Sequence, residues 1–330
     1  MRWLSLALAA GLLAPLPAPA GPDASIRRAV ELGYAQQYDS AWAALDRLPG
    51  HDNPLPLVSF WRSALLQMLL YDSGSPALAD SFHRVSERTL TACRRRWQEE
   101  PADAEAHLLY GLTQLNRANC LGWQRQRLRA VTALNSASKS LKRAAELDPA
   151  LADAWYGLGV VEYFRGSADR YALGLGLLGS RAKAYELMAR ARAGNGWLAS
   201  AVDLTLAFMH KQDGNHREAI VLCERLWRRH PGNRSALRLL RDSHLAAGEW
   251  KQTLSVCATL DSSIKRNFPD NRYGLAENRL AALKAWDGLG RQDSVRAYAE
   301  RLIAWSPYEQ EVPWLAGYIA EARQFLRKLE

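Results

Sequence analysis

The feature that most limits how this chain can fold is a recurrence of 34 residues. Gly214 and Gly248 stand 34 apart, and so do Cys223 and Cys257, and His210 and His244. A longer interval of 48 separates Pro101 from Pro149 and Gly111 from Gly159. Fixed periods of this size belong to arrays in which one small unit stacks on its own copies. The stretch "LKRAAELDPALADAWYGLGVVEYFRG", Leu141 to Gly166, shows what a unit contains. Helices that cross at roughly 8–10 Å need small residues where their backbones approach and large ones where gaps open. Gly159 and Ala137 are expected at the approach points, with Trp155 and Leu141 filling gaps. Pro149 cannot continue a helix and turns the chain into the next one.

These intervals resemble the tetratricopeptide repeat (TPR), a unit of two antiparallel helices. In that frame Ala137, Leu141, Ala144 and Pro149 close one unit, and Trp155, Leu158 and Gly159 open the next. Later units run through Leu206, Ala207, Gly214, Ala219, Cys223 and Pro231, and through Leu237, Leu240, Gly248, Thr253, Cys257 and Leu260. Another passes Trp286, Gly290, Val295, Ala299, Leu302 and Pro307. Weaker units lie around Ala41, Leu45 and Leu48, within Leu57–Leu70 and within Leu78–Trp97. The expected fold class is all-α: a TPR-like α-solenoid of stacked antiparallel helix pairs, with two repeats extended. The first extension is basic and helix-compatible ("CLGWQRQRLRAVTA"), and the second is apolar and glycine-rich ("SADRYALGLGLLGS"). The array is expected over residues 21–309. A capping helix is expected over 310–330, where Trp314, Leu315, Tyr318, Ile319, Ala322, Phe325 and Leu326 follow helical spacing.

Tyr110–Gly111–Leu112, Tyr156–Gly157–Leu158 and "LGLGLLGSRAKAYELMARA" also resemble segments of exported bacterial TPR proteins. A more distant likeness is to a eukaryotic TPR family linked to inclusion-body clearance and lipid droplets. The bacterial resemblance spans about Ala106 to Pro231 and implies a fold and a compartment, not a reaction. Such relatives often carry an acid after the glycine loop, where this chain has Ser180 and Arg181.

Composition supports a packed core rather than disorder, with 48% hydrophobic and 23% charged residues among 330. The net charge of +9 is spread along the chain, with short clusters at Arg94–Arg95–Arg96 and at Arg125, Arg127 and Arg129. That distribution reads as a solvated helical surface favouring acidic partners, not as a nucleic-acid face. Met1, Arg2, the apolar run Leu4–Leu13 and the small residues Ala18 and Ala20 have the parts of a secretory signal peptide over residues 1–20. The run is about half of the roughly 20 residues a spanning helix needs. The mature chain is therefore expected to be periplasmic or secreted, with no transmembrane segment.

Little in the sequence assembles chemistry. "GLGLLG" places Gly174, Gly176 and Gly179 in a GxGxxG spacing, but no strand precedes it, so a turn-forming loop is expected and no cofactor. The seven histidines form no HExxH or zinc spacing, and no serine sits in GxSxG. Cys223 and Cys257 hold one frame position in neighbouring units, on the order of 10 Å apart, beyond the roughly 7 Å a disulfide tolerates. Buried thiols are expected there. Cys93 and Cys120 would pair only if the chain bent after Asn116. The expectation is a non-enzymatic protein with no metal site.

In TPR arrays the first helix of each pair lines the concave face. Carrying the frame over places Asp153, Tyr156, Val160 and Tyr163 there, then Leu204, Phe208 and Lys211, then Arg238 and Asp242. A patch of this kind suits a protein or peptide partner, in an envelope scaffold. The Lys/Asn pattern that clamps a C-terminal carboxylate in some cytosolic TPR domains is absent from these positions. The alternative is a carrier or accessory protein whose glycine-rich loop 171–180, with Leu173, Leu175, Leu177 and Leu178, holds an apolar ligand or touches a membrane.

Overall fold

The computed structural model describes residues 22–48, 56–169, 179–312 and 314–329, and no strand occurs among them. The described residues form helical pairs that follow one another in chain order. The first pair is α1 (Pro22–Tyr34) with α2 (Tyr38–Asp46), and the second is α3 (Pro56–Ser73) with α4 (Leu78–Glu99). Next come α5 (Ala104–Trp123) with α6 (Arg127–Leu147), then α7 (Ala152–Asp169) with α8 (Arg181–Ala193). Three more follow: α9 (Ala199–Gln212) with α10 (His216–Arg229), α11 (Arg234–Ala246) with α12 (Trp250–Asn267), and α13 (Arg272–Gly288) with α14 (Gln292–Ile303). A 3₁₀ turn at Ser306–Tyr308 leads to α15 (Leu315–Arg327). The first helices of successive pairs also touch one another down the array, which makes them the tighter, inner layer.

One turn closes five of the pairs. In each, a residue with positive φ follows the first helix, and the next N–H donates back five residues. The bonds are Gln37 N–H to Leu32 (2.9 Å), Gln126 to Leu121 (2.8 Å), Asn215 to His210 (2.9 Å), Glu249 to His244 (2.9 Å) and Arg291 to Trp286 (3.0 Å). This Schellman geometry satisfies carbonyls that the helix end would leave bare. Gly214, Gly248 and Gly290 take the left-handed position without strain, whereas Gln36 (φ 58°) and Arg125 (φ 62°) take it despite a side chain. Between pairs, Pro101, Pro149, Pro231 and Pro269 each follow the residue whose carbonyl accepts the turn bond. Those bonds are Asp103 to Glu100 (3.0 Å), Leu151 to Asp148 (3.2 Å), Asn233 to His230 (2.9 Å) and Asn271 to Phe268 (3.0 Å).

The extra length of the third pair lies in the helices. α5 runs on to Trp123, α6 begins at Arg127, and the basic, helix-compatible extension lengthens both. Leu141 and Ala137 are fully buried, in keeping with their expected roles. Leu141 lies between two glycines: a Cβ would stand 2.6 Å from its side chain at Gly111 and 2.7 Å at Gly157. A Cβ on Gly159 would meet Met188 at 3.1 Å. Trp155 differs from its expected role as a gap filler. It lies half-exposed at the edge, donating to the Pro149 carbonyl (2.9 Å) beneath the Arg190 guanidinium (3.4 Å). Its indole N–H could not be buried in the core without losing a partner. At the far end, Leu315, Ile319 and Ala322 of α15 are fully buried against Ala276, Leu283, Val295 and Leu302.

Leu141→Ala is expected to destabilise the fold by about 2–5 kcal/mol, as a truncated core leucine does, measured by urea unfolding. Gly111→Ala should cost clearly less in that background than in the wild-type chain, because the group its Cβ would meet is gone. Strict additivity of the two changes would contradict this packing.

Candidate functional site

Following the inner layer from one end to the other, the C-terminal ends of the early helices meet the N-terminal ends of the late ones. The centre of this junction is Asp72, fully buried on the last turn of α3. Its carboxylate accepts from Arg234 Nε (2.7 Å) and from a second nitrogen of the same guanidinium, and Tyr38 Oη donates to it at 3.1 Å. Arg238 lies 3.5 Å from the carboxylate and donates to the Asp72 carbonyl at 3.2 Å. Asn271 Nδ2 donates to the same carbonyl at 2.8 Å. Around this centre, the Arg234 N–H donates to Gln36 Oε1 (2.8 Å), and Arg229 pairs with Glu31 (2.9 Å). A Cβ on Gly232 would run into the Ala35 carbonyl. The junction continues through the aromatic contacts Tyr71–Trp123 (6.0 Å), Trp123–Tyr273 (6.4 Å) and Tyr273–Tyr318 (6.4 Å). Removing a charge this deep from water is costly, and only a nearly complete partner set offsets it.

The nine residues expected on the concave face divide into two groups. Asp153, Val160 and Tyr163 are buried. Asp153 accepts from the N–H groups of Trp197 (3.0 Å) and Leu198 (3.1 Å), which fixes the approach to α9. Burial raises its carboxyl above the usual carboxylate range, and those two N–H donors oppose the rise. The Tyr163 hydroxyl accepts from Arg181 (2.7 Å) and donates to Asp213 (3.2 Å), which also takes the Tyr185 hydroxyl (3.0 Å). These three side chains serve contacts within the chain, because α8 and α9 close over their stripe of α7.

Tyr156, Leu204, Phe208, Lys211, Arg238 and Asp242 are half-buried. The structure does bring most of them together. The Tyr156 hydroxyl lies 3.4 Å from Thr205 Oγ1 on α9, beside Leu204. Phe208 meets Tyr163 edge-on at 6.3 Å, and Lys211 reaches Asp242 at 3.9 Å. Arg238 stands apart because Asp72 engages it. Sequence reasoning missed Asp72, Arg234, Asn271 and the buried Arg241, whose guanidinium bonds Asp242 (2.9 Å) and Asn278 (3.3 Å) and lies 3.4 Å from Glu277. Burial works against the Arg241 charge, but Glu277 and Asp242 outweigh it and hold the group more firmly protonated than usual. The one hint of Asp72 was a single acid in the otherwise apolar α3, "PLVSFWRSALLQMLLYDS".

A cavity of about 190 Å³ opens where the N-terminal ends of α3, α5, α7 and α9 converge. Leu57, Phe60, Trp61, Leu108, Leu151 and Trp197 wall it, and Asp153 lies at its edge. Arg27 of α1 stacks on Trp197 at 4.4 Å. Among the described residues no group of three or more His, Cys, Asp or Glu side chains is placed to hold a metal. Of the loop 171–180, residues 171–178 lie outside the described residues, as does the segment 1–20. Ser180 caps α8 through the Lys183 N–H (3.3 Å). No described helix is long and apolar enough to cross a membrane. The paired histidines share one backbone slot, each accepting the turn bond after its helix (2.9 Å), but their side chains differ: His244 bonds Glu249 at 2.6 Å, whereas His210 packs on Tyr185 at 5.1 Å.

Neither a family model nor a curated protein matches the chain. Solved structures do. PilW, a widely conserved type IV pilus biogenesis factor, superposes with a TM-score of 0.50 at 16% identity, over 73% of this chain and 95% of that one. YrrB, a TPR protein with an unusual peptide-binding site, gives 0.45 at 18% identity over 71% and 98%. TTC0263, a thermophilic TPR protein of Thermus thermophilus, gives 0.42 at 20% over 68% and 98%. The fold is an all-α TPR solenoid. At these identities the likeness concerns architecture alone.

Two measurements check this geometry. Asp72→Asn leaves two arginines facing an uncharged amide and should lower the unfolding free energy by about 3–5 kcal/mol, the usual loss when one partner of a buried pair is removed. Unchanged urea midpoints would mean that the junction contributes nothing. All four cysteines are free and buried. Burial pushes the Cys93, Cys223 and Cys257 thiols up to about 12 and Cys120 up to about 11. A disulfide-exchange reagent at pH 8 should therefore label none of them in the folded chain and all of them in denaturant.

Proposed function

We propose that this chain is a non-catalytic, exported interaction scaffold that holds a protein or peptide partner along its inner face, in the periplasm or beyond. The residues assigned to contact are Tyr156, Leu204, Phe208, Lys211 and Asp242. Asp153, Val160 and Tyr163 support them from beneath, and Arg238 borders them. The observation that carries the reading is their continuity: half-exposed apolar and aromatic side chains on α7 and α9 run into a Lys211–Asp242 pair (3.9 Å) that bridges to α11. Rigid aromatics with satisfied polar tips are the side chains that anchor partner segments at low entropic cost. The cavity of about 190 Å³, one helical turn from Tyr156 through Asp153, has room for one apolar side chain of such a segment. Residues 1–20 act as the cleaved leader, and no cofactor enters the function.

The test is capture in the native cell envelope. A photo-crosslinking residue at Leu204 should trap a discrete partner. Tyr156→Ala with Phe208→Ala should keep the helical circular dichroism of the wild type and lose that adduct at least tenfold. An undiminished adduct in the double variant would remove this surface from consideration.

A further inference from the structure

The α5–α6 pair carries an electrostatic asymmetry that the inner face does not use. Between Glu105 and Glu146 the chain contains no acidic residue, but it holds Arg117, Arg125, Arg127, Arg129, Lys139, Lys142 and Arg143. Arg117 is paired with Glu87, and Arg143 reaches Glu146 at 3.4 Å. Arg127, Arg129, Lys139 and Lys142 are exposed and form no ion pair among the described residues. Apolar side chains stand in the midst of these cations. Leu128 is 86% exposed and Val131 55%, one turn apart on the outer side of α6. Arg125, at the turn before α6, stacks on the exposed Trp314 at 4.1 Å. On the other flank, Arg165 bonds Asn135 of α6 at 2.9 Å, and its neighbour Phe164 is 47% exposed.

We infer that this edge of the molecule, the N-terminal half of α6 with Leu128 and Val131 at its crest, docks on an anionic membrane surface. With Leu128 standing 86% exposed, a folded protein partner would have to supply a hollow for it, whereas a bilayer needs no shape match. Apolar side chains that enter the interface, ringed by Lys and Arg that meet anionic headgroups, are the pattern of a helix lying on a membrane. The cations flank the crest on both sides along α6, so they can reach headgroups while Leu128 and Val131 insert.

The four native thiols are buried, so a single cysteine at position 128 can be labelled selectively in the full chain. Leu128→Cys carrying an environment-sensitive fluorophore is mixed with phosphatidylcholine vesicles with or without 30% phosphatidylglycerol. The expected result is a blue shift and at least a twofold rise in emission on the anionic vesicles only, reversed by 0.5 M salt. The same label at Thr259→Cys, exposed on α12, should not respond. Adding Arg127→Glu and Arg129→Glu should weaken the response at least tenfold in lipid concentration. A silent probe at position 128 overturns the proposal even if the protein sediments with vesicles through another segment. Retention on immobilised polyglutamate that needs Arg127 and Arg129, with no lipid response, would assign the edge to an acidic protein instead. Because the readout is local to α6, it is independent of whether the inner face captures a partner.

Discussion

A carboxylate with no exposure to water must be surrounded by donors, and Asp72 finds them far away along the chain. Its partners on α11 and α13 lie 162 and 199 residues further on. For Arg234, Arg238 and Asn271 to reach it, the helical pairs have to curve until the inner layer meets itself. The curvature is therefore tied to one site as well as to the sum of pairwise stacking. The arrangement has a consequence for recognition. The C-terminal end of α3 is occupied by the chain's own residues, whereas its N-terminal end helps to wall the cavity between α3, α5, α7 and α9, and the proposed contact strip lies across α7, α9 and α11. Arg238, at the border of that strip, is held by α3 on one side and lies 3.8 Å from Glu277 on the other.

Five of the pairs rest on a shared turn. A left-handed residue after the first helix and a proline turn after the second set the direction of each new helix, and small residues at the crossings let the helices close. Within this regular scheme the second and third pairs are longer than the pairs from α9 to α14; in the third the length comes with a basic segment. Its extra residues continue both helices, and the N-terminal half of α6 presents Arg127, Leu128, Arg129 and Val131 to solvent. Regularity inside and a solvent-facing basic helix outside leave the molecule with two faces of different chemistry: a half-buried aromatic strip and a cationic crest with apolar tips.

Different parts of this were legible in the sequence for different reasons. Gly214, Gly248 and Gly290 announce their turns because glycine is the residue of choice at positive φ, and the same turn at Gln36 and Arg125 is silent because nothing about those side chains marks it. Pro101, Pro149 and Pro231 mark boundaries for the same local reason. The inner-face residues were placed by carrying a frame along the helices. A frame gives the direction of a side chain but not what lies opposite it. Tyr156, Leu204, Phe208, Lys211 and Asp242 remain half-open, whereas Val160 and Tyr163 point the same way and are covered by α8 and α9.

By itself, then, the amino-acid order determined the helical pairs, their sequence, the glycine and proline turns and the burial of Leu141, Ala137, Cys223 and Cys257. Each of these depends on residues within one or two pairs of one another, where spacing and side-chain size carry the information. Only the tertiary structure decided that Asp72 would be the hub, that Arg234 and Arg241 would be buried, that Asp153 would cap the approach to α9, and that Leu128 would stand in the open. Those outcomes depend on which surfaces meet after the array has curved, and curvature accumulates small rotations over the whole chain. No short stretch of sequence encodes that sum.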